Sequence, residues 1–225
     1  MPPLPTLRDY HPPTDPWLDI VYEDERIILC DKPSGLLTVP GKDKALADCL
    51  EARVQARYPW HRDTKVVHRL DKDTSGLLLL AFDKKALGAL GSQFEHRQVE
   101  KYYVARVWGE VAGDSGRIDL PLATDWENKP RQRVDHTGGR PAVTEWQVIA
   151  REPGFTRLQL TPLTGRTHQL RVHMLALGHP ILGDVFYAPP EALAAADRLQ
   201  LHAEMLAFAH PDDGRPLRFV RPAPF

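Results

Sequence analysis

Residues 68–76 bring together side chains that could do chemistry, and they read HRLDKDTSG. Two carboxylates, Asp71 and Asp73, stand two positions apart in this stretch. Three cationic or titratable side chains lie beside them: His68, Arg69 and Lys72. A carboxylate that a cation keeps ionised can act as a nucleophile, whereas two carboxylates that share a proton can activate water. These residues alone leave both kinds of chemistry open.

One alternative is an aspartic protease. Its signature matches residues 73–76, and the later apolar-apolar-Gly element of such enzymes matches Ile181-Leu182-Gly183. The chemistry needs a second Asp-Thr-Gly, from the same chain or from a homodimer partner, and the sequence contains no second copy. Lys72 also stands where a buried strand would have an apolar residue. Because a four-residue motif often matches by chance, these observations disfavour a protease.

A nucleophilic aspartate needs a cation and a wall that excludes water. The apolar run over residues 77–82 supplies such a wall directly after the motif. Arg166 precedes a predicted helix over residues 168–177, and a helix N-terminus favours anions. We predict Thr167 as the N-cap of this helix and Gly178 as its terminator. Arg166 can therefore supply the cation.

The elements around these residues predict an α+β fold. Strands are predicted over residues 20–22, 27–30, 77–82, 101–108, 142–150, 156–161, 201–209 and 217–220, with helices over 45–58, 84–97 and 168–177. Strands outnumber helices and do not alternate with them regularly, which indicates a mixed, mostly antiparallel sheet. Residues 111–116 and 127–141 are predicted to be long loops. Residues 1–16 are predicted to form an extended proline-rich arm that packs through Trp17.

The composition, 42% hydrophobic and 26% charged over 225 residues, is ordinary for a globular protein. The two cysteines, Cys30 and Cys49, lack the spacing of a metal site, so we expect no metal and no cofactor. The N-terminus does not resemble a secretory signal. The longest apolar run is far shorter than the roughly 20 residues of a membrane helix. We therefore expect a cytoplasmic, monomeric protein without a membrane partner.

The charge is unevenly distributed, although the net charge is only −1. Residues 1–51 carry ten acids and five bases, whereas residues 129–173 carry eight bases and three acids, a net +5. A basic region on a near-neutral protein is compatible with RNA contact and equally with a plain charged surface. The segment 127–141 contains Lys129 and Arg131 in a glycine-containing loop that could close over a phosphate backbone.

Several motifs, in this order along the chain, closely resemble the RluA-type pseudouridine synthases. The central motif is His68-Arg69-Leu70-Asp71, followed by Thr74-Ser75-Gly76. The other motifs are DKPSGLLTVPG at residues 31–41, KYYVA at 101–105, TGRTHQLRVH at 164–173 and GHPILGD at 178–184, with His202-Ala203 near the end. They cover about residues 17–215. The Ile-Leu-Gly of the protease alternative belongs to the last long motif.

The resemblance implies a pseudouridine synthase fold, with a mostly antiparallel sheet in two lobes, flanking helices and a central active-site cleft. It implies one catalytic domain over residues 17–225, without the S4-type RNA-binding domain of many relatives. It also implies a substrate, namely a uridine in large-subunit (23S) ribosomal RNA, in a tRNA anticodon stem-loop, or in both. A third alternative, an RNA-binding protein without catalysis, would be indicated by loss of Asp71, Tyr103 or Arg166, and all three are present.

The resemblance also implies a role for each matched residue. Asp71 matches the nucleophile, Tyr103 the tyrosine that stacks on the uracil and takes the C5 proton, and Arg166 the arginine that pairs with the aspartate. Further residues are expected to bind the substrate: His68, Arg69, Thr74, Leu170, Arg171, Lys129 and Arg131. Among these, Arg69 is expected to fill the gap left by a flipped-out uridine, and Leu170 to form the apolar floor under the base.

Overall fold

The structure is a computed structural model that describes residues 10–225. These residues form two compact units, each described separately below. The first, called the Asp71 unit, comprises residues 10–101 and Ala203–Pro224. The second, called the Arg166 unit, comprises Tyr102–His202 and Phe225. The boundaries between the units lie inside strands that begin at Glu100 and at Leu201.

Strands dominate both units. In chain order the strands are β1 (Ile20–Glu23), β2 (Ile27–Lys32), β3 (Lys65–Val66), β4 (Ser75–Ala81), β5 (Glu100–Trp108), β6 (Ser115–Asp119), β7 (Leu122–Thr124), β8 (Gln132–Val134), β9 (Val143–Glu152), β10 (Phe155–Pro162), β11 (Leu201–Ala209) and β12 (Pro216–Val220). The helices are α1 (Leu50–Arg57), α2 (Lys84–Glu95), α3 (Gln169–Ala176) and α4 (Pro190–Ala194). This architecture confirms the predicted α+β class with antiparallel strand pairs.

The Asp71 unit is built around β4, all seven residues of which are buried. The strand order is β1-β2-β4-β11, with β3 paired to β4 and β12 paired to β11. A strand that is covered on both faces carries a continuous apolar run rather than an alternating one, which explains the run over residues 77–82. The side chains of α2 complete this core through Ala86 and Leu90.

The Arg166 unit contains the strand order β5-β10-β9-β6 and a separate antiparallel hairpin, β7-β8. The apolar face of α3, with Leu170 and Met174, packs in one core cluster with residues of β5 and β10. The predicted loop over residues 127–141 was therefore wrong in part, because it contains β8. Strands of three residues are too short to produce a periodic pattern that the sequence could reveal.

The segment at the N-terminus is anchored through Tyr10 in addition to the predicted Trp17. Residues 1–9 of the predicted arm lie outside the described residues, and residues 10–16 form neither helix nor strand. The Tyr10 hydroxyl donates to the Asp48 carbonyl at 2.9 Å and accepts from the Leu37 amide at 3.0 Å. Trp17, the predicted anchor, is 44% exposed. Arg53 donates to the Trp17 carbonyl at 2.8 Å and lies over the Trp17 ring, so Tyr10 and Trp17 both anchor this segment.

The helix predicted over residues 45–58 is split. A 3-10 turn, Lys44–Leu46, comes first, and α1 begins only at Leu50. The Leu50 and Glu51 amides donate to the carbonyls of Leu37 and Thr38, so the first turn of α1 is bound to an earlier segment. Within residues 10–225, no helix is both long enough and apolar enough to cross a membrane.

Candidate active site

Asp71 lies in the loop that connects β3 to β4. The Val67 amide donates to the Leu79 carbonyl at 2.9 Å, so the loop leaves the sheet after Val67 and returns at Ser75. At its far side the Thr74 amide donates to the Asp71 carbonyl at 3.2 Å, which closes a turn over residues 71–74. A loop anchored at both ends by a buried strand can present one carboxylate in a fixed position.

The side chain of Lys32, at the end of β2, holds this loop in place. Its ammonium is fully buried and donates to three backbone carbonyls: those of Pro33 at 2.9 Å, Leu36 at 2.7 Å and Lys72 at 2.8 Å. Burial lowers the pKa of Lys32 to about 7, while the charges of Asp73 and Asp71 act in the opposite direction. A buried cation is tolerated where its donors are satisfied. Lys32 therefore joins the 31–41 motif to the residue that follows Asp71.

Two further contacts from the same motif bind the loop. The Thr38 hydroxyl donates to the Leu70 carbonyl at 2.7 Å and accepts from the Leu70 amide at 3.2 Å. The Ser34 hydroxyl donates to the Asp73 carbonyl at 2.7 Å. The backbone on both sides of Asp71 is thus fixed, while the Asp71 side chain itself is partly exposed. This arrangement suits a carboxylate that must meet a substrate.

The neighbours of Asp71 divide into exposed and buried residues. Arg69 is exposed, which leaves it available to RNA. Thr74 is buried, and its amide donates to the Asp71 carbonyl, so the structure places it inside the loop rather than at a surface. Asp73 pairs with the Lys72 ammonium at 3.3 Å. The two aspartates therefore have different surroundings, although they are two residues apart.

His68 has the position of a structural residue. Its Nε2 accepts a hydrogen bond from the Leu79 amide at 3.2 Å, and its ring stacks on Phe94 with centroids 4.9 Å apart. Burial, with a smaller effect of Lys101, lowers the pKa of His68 to about 3. The imidazole is therefore neutral near pH 7, and its Nε2 already accepts a hydrogen bond from the Leu79 amide of β4. This placement does not favour the predicted role in substrate binding.

In the Arg166 unit, Tyr103 and Leu170 pack in the same apolar cluster. Tyr103 lies on β5 opposite Leu160 of β10 and is partly buried against the cluster, of which Leu170 is a buried member. Its neighbour Tyr102 is also only partly buried. An aromatic ring beside a buried leucine provides an apolar surface on which a base can stack.

The turn that carries Arg166 is fixed by Gln169, the first residue of α3. The Gln169 side-chain oxygen accepts from the Arg166 amide at 3.1 Å and from the Thr164 hydroxyl at 2.7 Å. Its side-chain nitrogen donates to the Val143 carbonyl at 2.9 Å. The Arg166 Nε donates to the Pro141 carbonyl at 3.1 Å. Arg166 is thus positioned by β9 and by the segment before it.

The predicted N-cap, Thr167, was wrong. The N-cap position of α3 is His168, whose φ of 53° is in the left-handed region, and its side chain makes no capping bond. The Gln169 side chain binds groups outside the helix, among them the Arg166 amide at 3.1 Å and the Val143 carbonyl at 2.9 Å, and so holds the turn that precedes α3. The predicted terminator Gly178 does adopt a positive φ of 89° after α3.

Arg171, predicted to bind RNA, lies in the protein interior. Its guanidinium binds Asp184 through Nε at 2.8 Å and Nη2 at 2.6 Å, and it lies over the rings of Phe186 and Tyr187. The Tyr187 hydroxyl in turn meets the His168 Nδ1 at 2.7 Å and accepts from the Gln132 amide at 2.8 Å. This network connects α3 to the 178–184 motif and to β8. Arg171 therefore stabilises the fold, and its buried guanidinium is not at a surface where RNA would bind.

Lys129 and Arg131 lie on the hairpin β7-β8. Lys129 is exposed, and its Nζ lies 3.9 Å from the centroid of the Trp126 ring. Arg131 lies over the Tyr187 ring at 5.3 Å. Both residues lie in the same unit as Arg166, and their contact with RNA stays a prediction.

Comparisons with known proteins agree with these features. A family model described as RNA pseudouridylate synthase matches residues 26–176. The dual-specificity RNA pseudouridine synthase RluA of Salmonella typhi is 52% identical over 220 residues, which cover 97% of this chain and 99% of that protein. The protein of the same name from Escherichia coli strain K12 is 50% identical over the same length. The chain belongs to the RNA pseudouridylate synthases.

A solved structure supports the same family. Human RNA pseudouridylate synthase domain containing 1 superposes with a TM-score of 0.77 at 30% sequence identity, covering 96% of this chain and 87% of that one. The protein is therefore an isomerase that converts uridine in RNA to pseudouridine. The two alternatives, a protease and an inactive RNA-binding protein, are not supported.

The sequence alone did not identify Lys32 and Gln169 as residues of the site. Both lie inside the motifs at residues 31–41 and 164–173, but neither was among the predicted site residues. A lysine beside Pro33-Ser34-Gly35 gives no sign that its side chain is buried. Their importance appears only through bonds to the backbone of Lys72 and of Arg166.

Proposed function

We propose that Asp71 is the nucleophile of the uridine isomerisation. In this reaction the N1–C1′ glycosidic bond breaks, the uracil turns, and C5 bonds to C1′. C5 loses a proton and N1 gains one, so the product has the same mass as uridine. A carboxylate nucleophile divides this difficult exchange into easier steps. The observation that carries the proposal is the fixed loop, in which Lys32, Ser34 and Thr38 bind the backbone on both sides of a partly exposed Asp71.

Two residues of the Arg166 unit complete the proposed chemistry. Arg166 serves as the cationic partner of the nucleophile, which is consistent with the way Gln169 fixes its backbone. Tyr103 stacks on the uracil and takes the C5 proton. Leu170, buried in the same cluster as the Tyr103 ring, provides the apolar surface under the base. Removing any of these side chains should slow turnover, and Asp71 should have the largest effect.

The remaining substrate contacts are proposed from exposure. Arg69 is exposed next to the nucleophile loop and would occupy the space vacated by a flipped uridine. Lys129 and Arg131 would contact phosphates, because a cation on an exposed hairpin gains from counterion release. His68, Thr74 and Arg171 are not part of this proposal, since their described contacts are with the protein itself.

We infer that the substrates are large-subunit (23S) ribosomal RNA and tRNA anticodon stem-loops. The support is the dual specificity in the name of relatives that match 97% of this chain. RNA stem-loops are recognised through shape and unpaired bases, which suits a protein with local rather than global basic character. We also propose that the protein acts as a monomer in the cytoplasm, which light scattering after gel filtration would test for the oligomeric state.

The test is pseudouridine mapping of total RNA from cells with and without the protein. The proposal expects sites in both 23S ribosomal RNA and tRNA anticodon stem-loops to disappear when the protein is removed, and to return when it is restored. A loss confined to one RNA class would overturn dual specificity. An unchanged pseudouridine map would overturn the assigned substrates altogether.

A further inference from the structure

The hairpin β7-β8 ends in an ordered tip that exposes a tryptophan. Trp126 is 72% exposed, although large aromatic side chains are usually covered. The tip is not loose. The Asp125 amide donates to the Arg131 carbonyl and the Arg131 amide to the Asn128 carbonyl, both at 3.0 Å, and the Asn128 side chain donates to the Asp125 carboxylate at 2.9 Å. The backbone that carries the exposed Trp126 ring is therefore fixed by hydrogen bonds.

A cation lies against this ring. The Lys129 Nζ is 3.9 Å from the Trp126 centroid, close enough for a cation–π interaction. The ammonium occupies one side of the ring, and the high exposure of Trp126 leaves much of the remaining ring surface open to solvent. A flat apolar ring beside a positive charge matches one kind of ligand well, namely a nucleotide, in which a flat base is joined to a phosphate.

Hydrogen bonds through the Tyr187 hydroxyl join the hairpin to the turn that carries Arg166. The Gln132 amide of β8 donates to the Tyr187 hydroxyl, and that hydroxyl meets His168, two residues after Arg166. Arg131 lies over the same Tyr187 ring. The segment that follows the hairpin accepts a bond from Arg166 itself, at Pro141. The hairpin and the turn of Arg166 therefore belong to one connected surface, and an RNA bound at Arg166 would lie near the hairpin.

We propose that Trp126 is a stacking platform for an unpaired base of the RNA substrate, outside the position of the isomerised uridine, and that Lys129 binds an adjacent phosphate. This inference rests on the proposed function and adds a recognition residue to it. Stacking on one ring accepts any base, so the platform recognises a splayed nucleotide by its place in the stem-loop rather than by its letter.

The test compares the affinities of Trp126→Ala, Trp126→Phe, Lys129→Ala and Trp60→Ala for a synthetic anticodon stem-loop over a series of salt concentrations. Base–aromatic stacking of about 1–3 kcal/mol corresponds to roughly a 5- to 150-fold change in affinity. Trp126→Ala should weaken binding by that factor at every salt concentration, without changing the slope of log affinity against log salt. Lys129→Ala should reduce that slope by about 1. Trp126→Phe should retain most of the affinity.

Trp60→Ala is the matched control, because Trp60 is 66% exposed, belongs to the Asp71 unit and packs edge-on against Tyr58. It should bind like the wild type. A stem-loop with one abasic nucleotide in turn at each unpaired position provides the second arm. Removal of the base at one unpaired position should weaken binding by the wild type. Removal of the same base should not change the affinity of Trp126→Ala.

Wild-type affinity in Trp126→Ala, or equal losses in the Trp126 and Trp60 variants, would overturn the platform. So would an abasic penalty that is the same in Trp126→Ala as in the wild type. Pseudouridine formation by the wild type is measured on the same RNA. Turnover with unchanged binding in Trp126→Ala would reject the platform alone, whereas absence of turnover on every mapped RNA would reject the proposed substrates.

Discussion

Lys32 shows how a residue without contact to the reacting atoms can control a site. Its three donors are all used by backbone carbonyls, one of them directly after Asp71. Nothing in the pattern of types and spacing distinguishes this lysine from an exposed one, whereas Asp71, Tyr103 and Arg166 were found because their motifs are long. The sequence thus identified candidate chemical groups, and the structure identified what positions two of them.

Replacing Lys32 by methionine should destabilise the protein and reduce turnover. Three carbonyls would lose their donor, of which that of Leu36 is in a buried bond, and an unsatisfied buried group costs about 1–3 kcal/mol, so we expect a loss of roughly 2 kcal/mol or more. The free energy of unfolding in urea measures this. The control is Lys72→Met, which removes only a partly exposed ion pair with Asp73 at 3.3 Å and should change stability by less than about 1 kcal/mol. Equal stabilities of the two variants would contradict the role of Lys32.

At the scale of elements, β4 connects the loop that carries Asp71 to the core of its unit. Its second residue, Gly76, has a φ of 113°, and a Cβ there would lie 2.4 Å from the Ala203 carbonyl oxygen. Only glycine allows the chain to leave the loop and enter the sheet at this point. The presence of glycine at position 76 of the central motif therefore has a steric explanation that is independent of catalysis.

Gly76→Ala should lower the free energy of unfolding by roughly 3 kcal/mol or more, because strain and overlap with backbone atoms add. Gly88→Ala in α2 is a matched control, since no atom lies within 4 Å of a Cβ at that position. It should stabilise the protein by about 0.5–1 kcal/mol. Thermal or urea unfolding compares the two variants, and a Gly76→Ala protein as stable as Gly88→Ala would refute the steric explanation.

The sequence predicted the long elements well and the short ones poorly. The apolar run of β4, the helix α2 and the strand pair β9-β10 were confirmed within a few residues, because each carries a clear pattern. The strands β3, β7 and β8 have only two or three residues and produce no period. The N-cap of α3 was predicted one residue early, at Thr167, because His168 begins the helix in the left-handed region without a side-chain capping bond.

At the scale of the whole molecule, charge counts overestimated the free basic surface. Of the eight bases in residues 129–173, several form ion pairs: Arg171 with Asp184 at 2.6 Å, Arg151 with Asp114 at 3.0 Å and Arg157 with Glu152 at 3.2 Å. A count along the chain cannot distinguish a charge that faces solvent from one that is neutralised within the fold. The hairpin β7-β8 retains the exposed Lys129 beside Trp126.

The stability of the protein should fall as the pH is lowered from about 6.5 towards 3. His68 has a pKa of about 3 in the folded protein, well below its ordinary value, so the unfolded chain binds a proton across that window and the folded chain does not. Below about pH 4, carboxyls with lowered pKa values add to the loss. One is Asp24, whose pKa burial would raise but hydrogen bonds from Tyr22 and from backbone amides lower overall.

His68→Gln isolates the first effect, because its amide oxygen can still accept the Leu79 bond and does not titrate. The variant should lose less stability than the wild type between pH 6.5 and 4, as measured by urea unfolding at each pH. The same pH dependence in both proteins would show that His68 is not the group responsible.

Of the two aspartates in the central motif, Asp71 and not Asp73 is proposed to carry the chemistry. Asp71→Asn and Asp73→Asn are almost isosteric changes two residues apart, and pseudouridine formation on a mapped stem-loop compares them directly. Asp71→Asn should form no pseudouridine while its RNA affinity and unfolding free energy persist, and Asp73→Asn should keep most of the wild-type rate. Turnover by Asp71→Asn, or an inactive but folded Asp73→Asn, would contradict this assignment of the nucleophile.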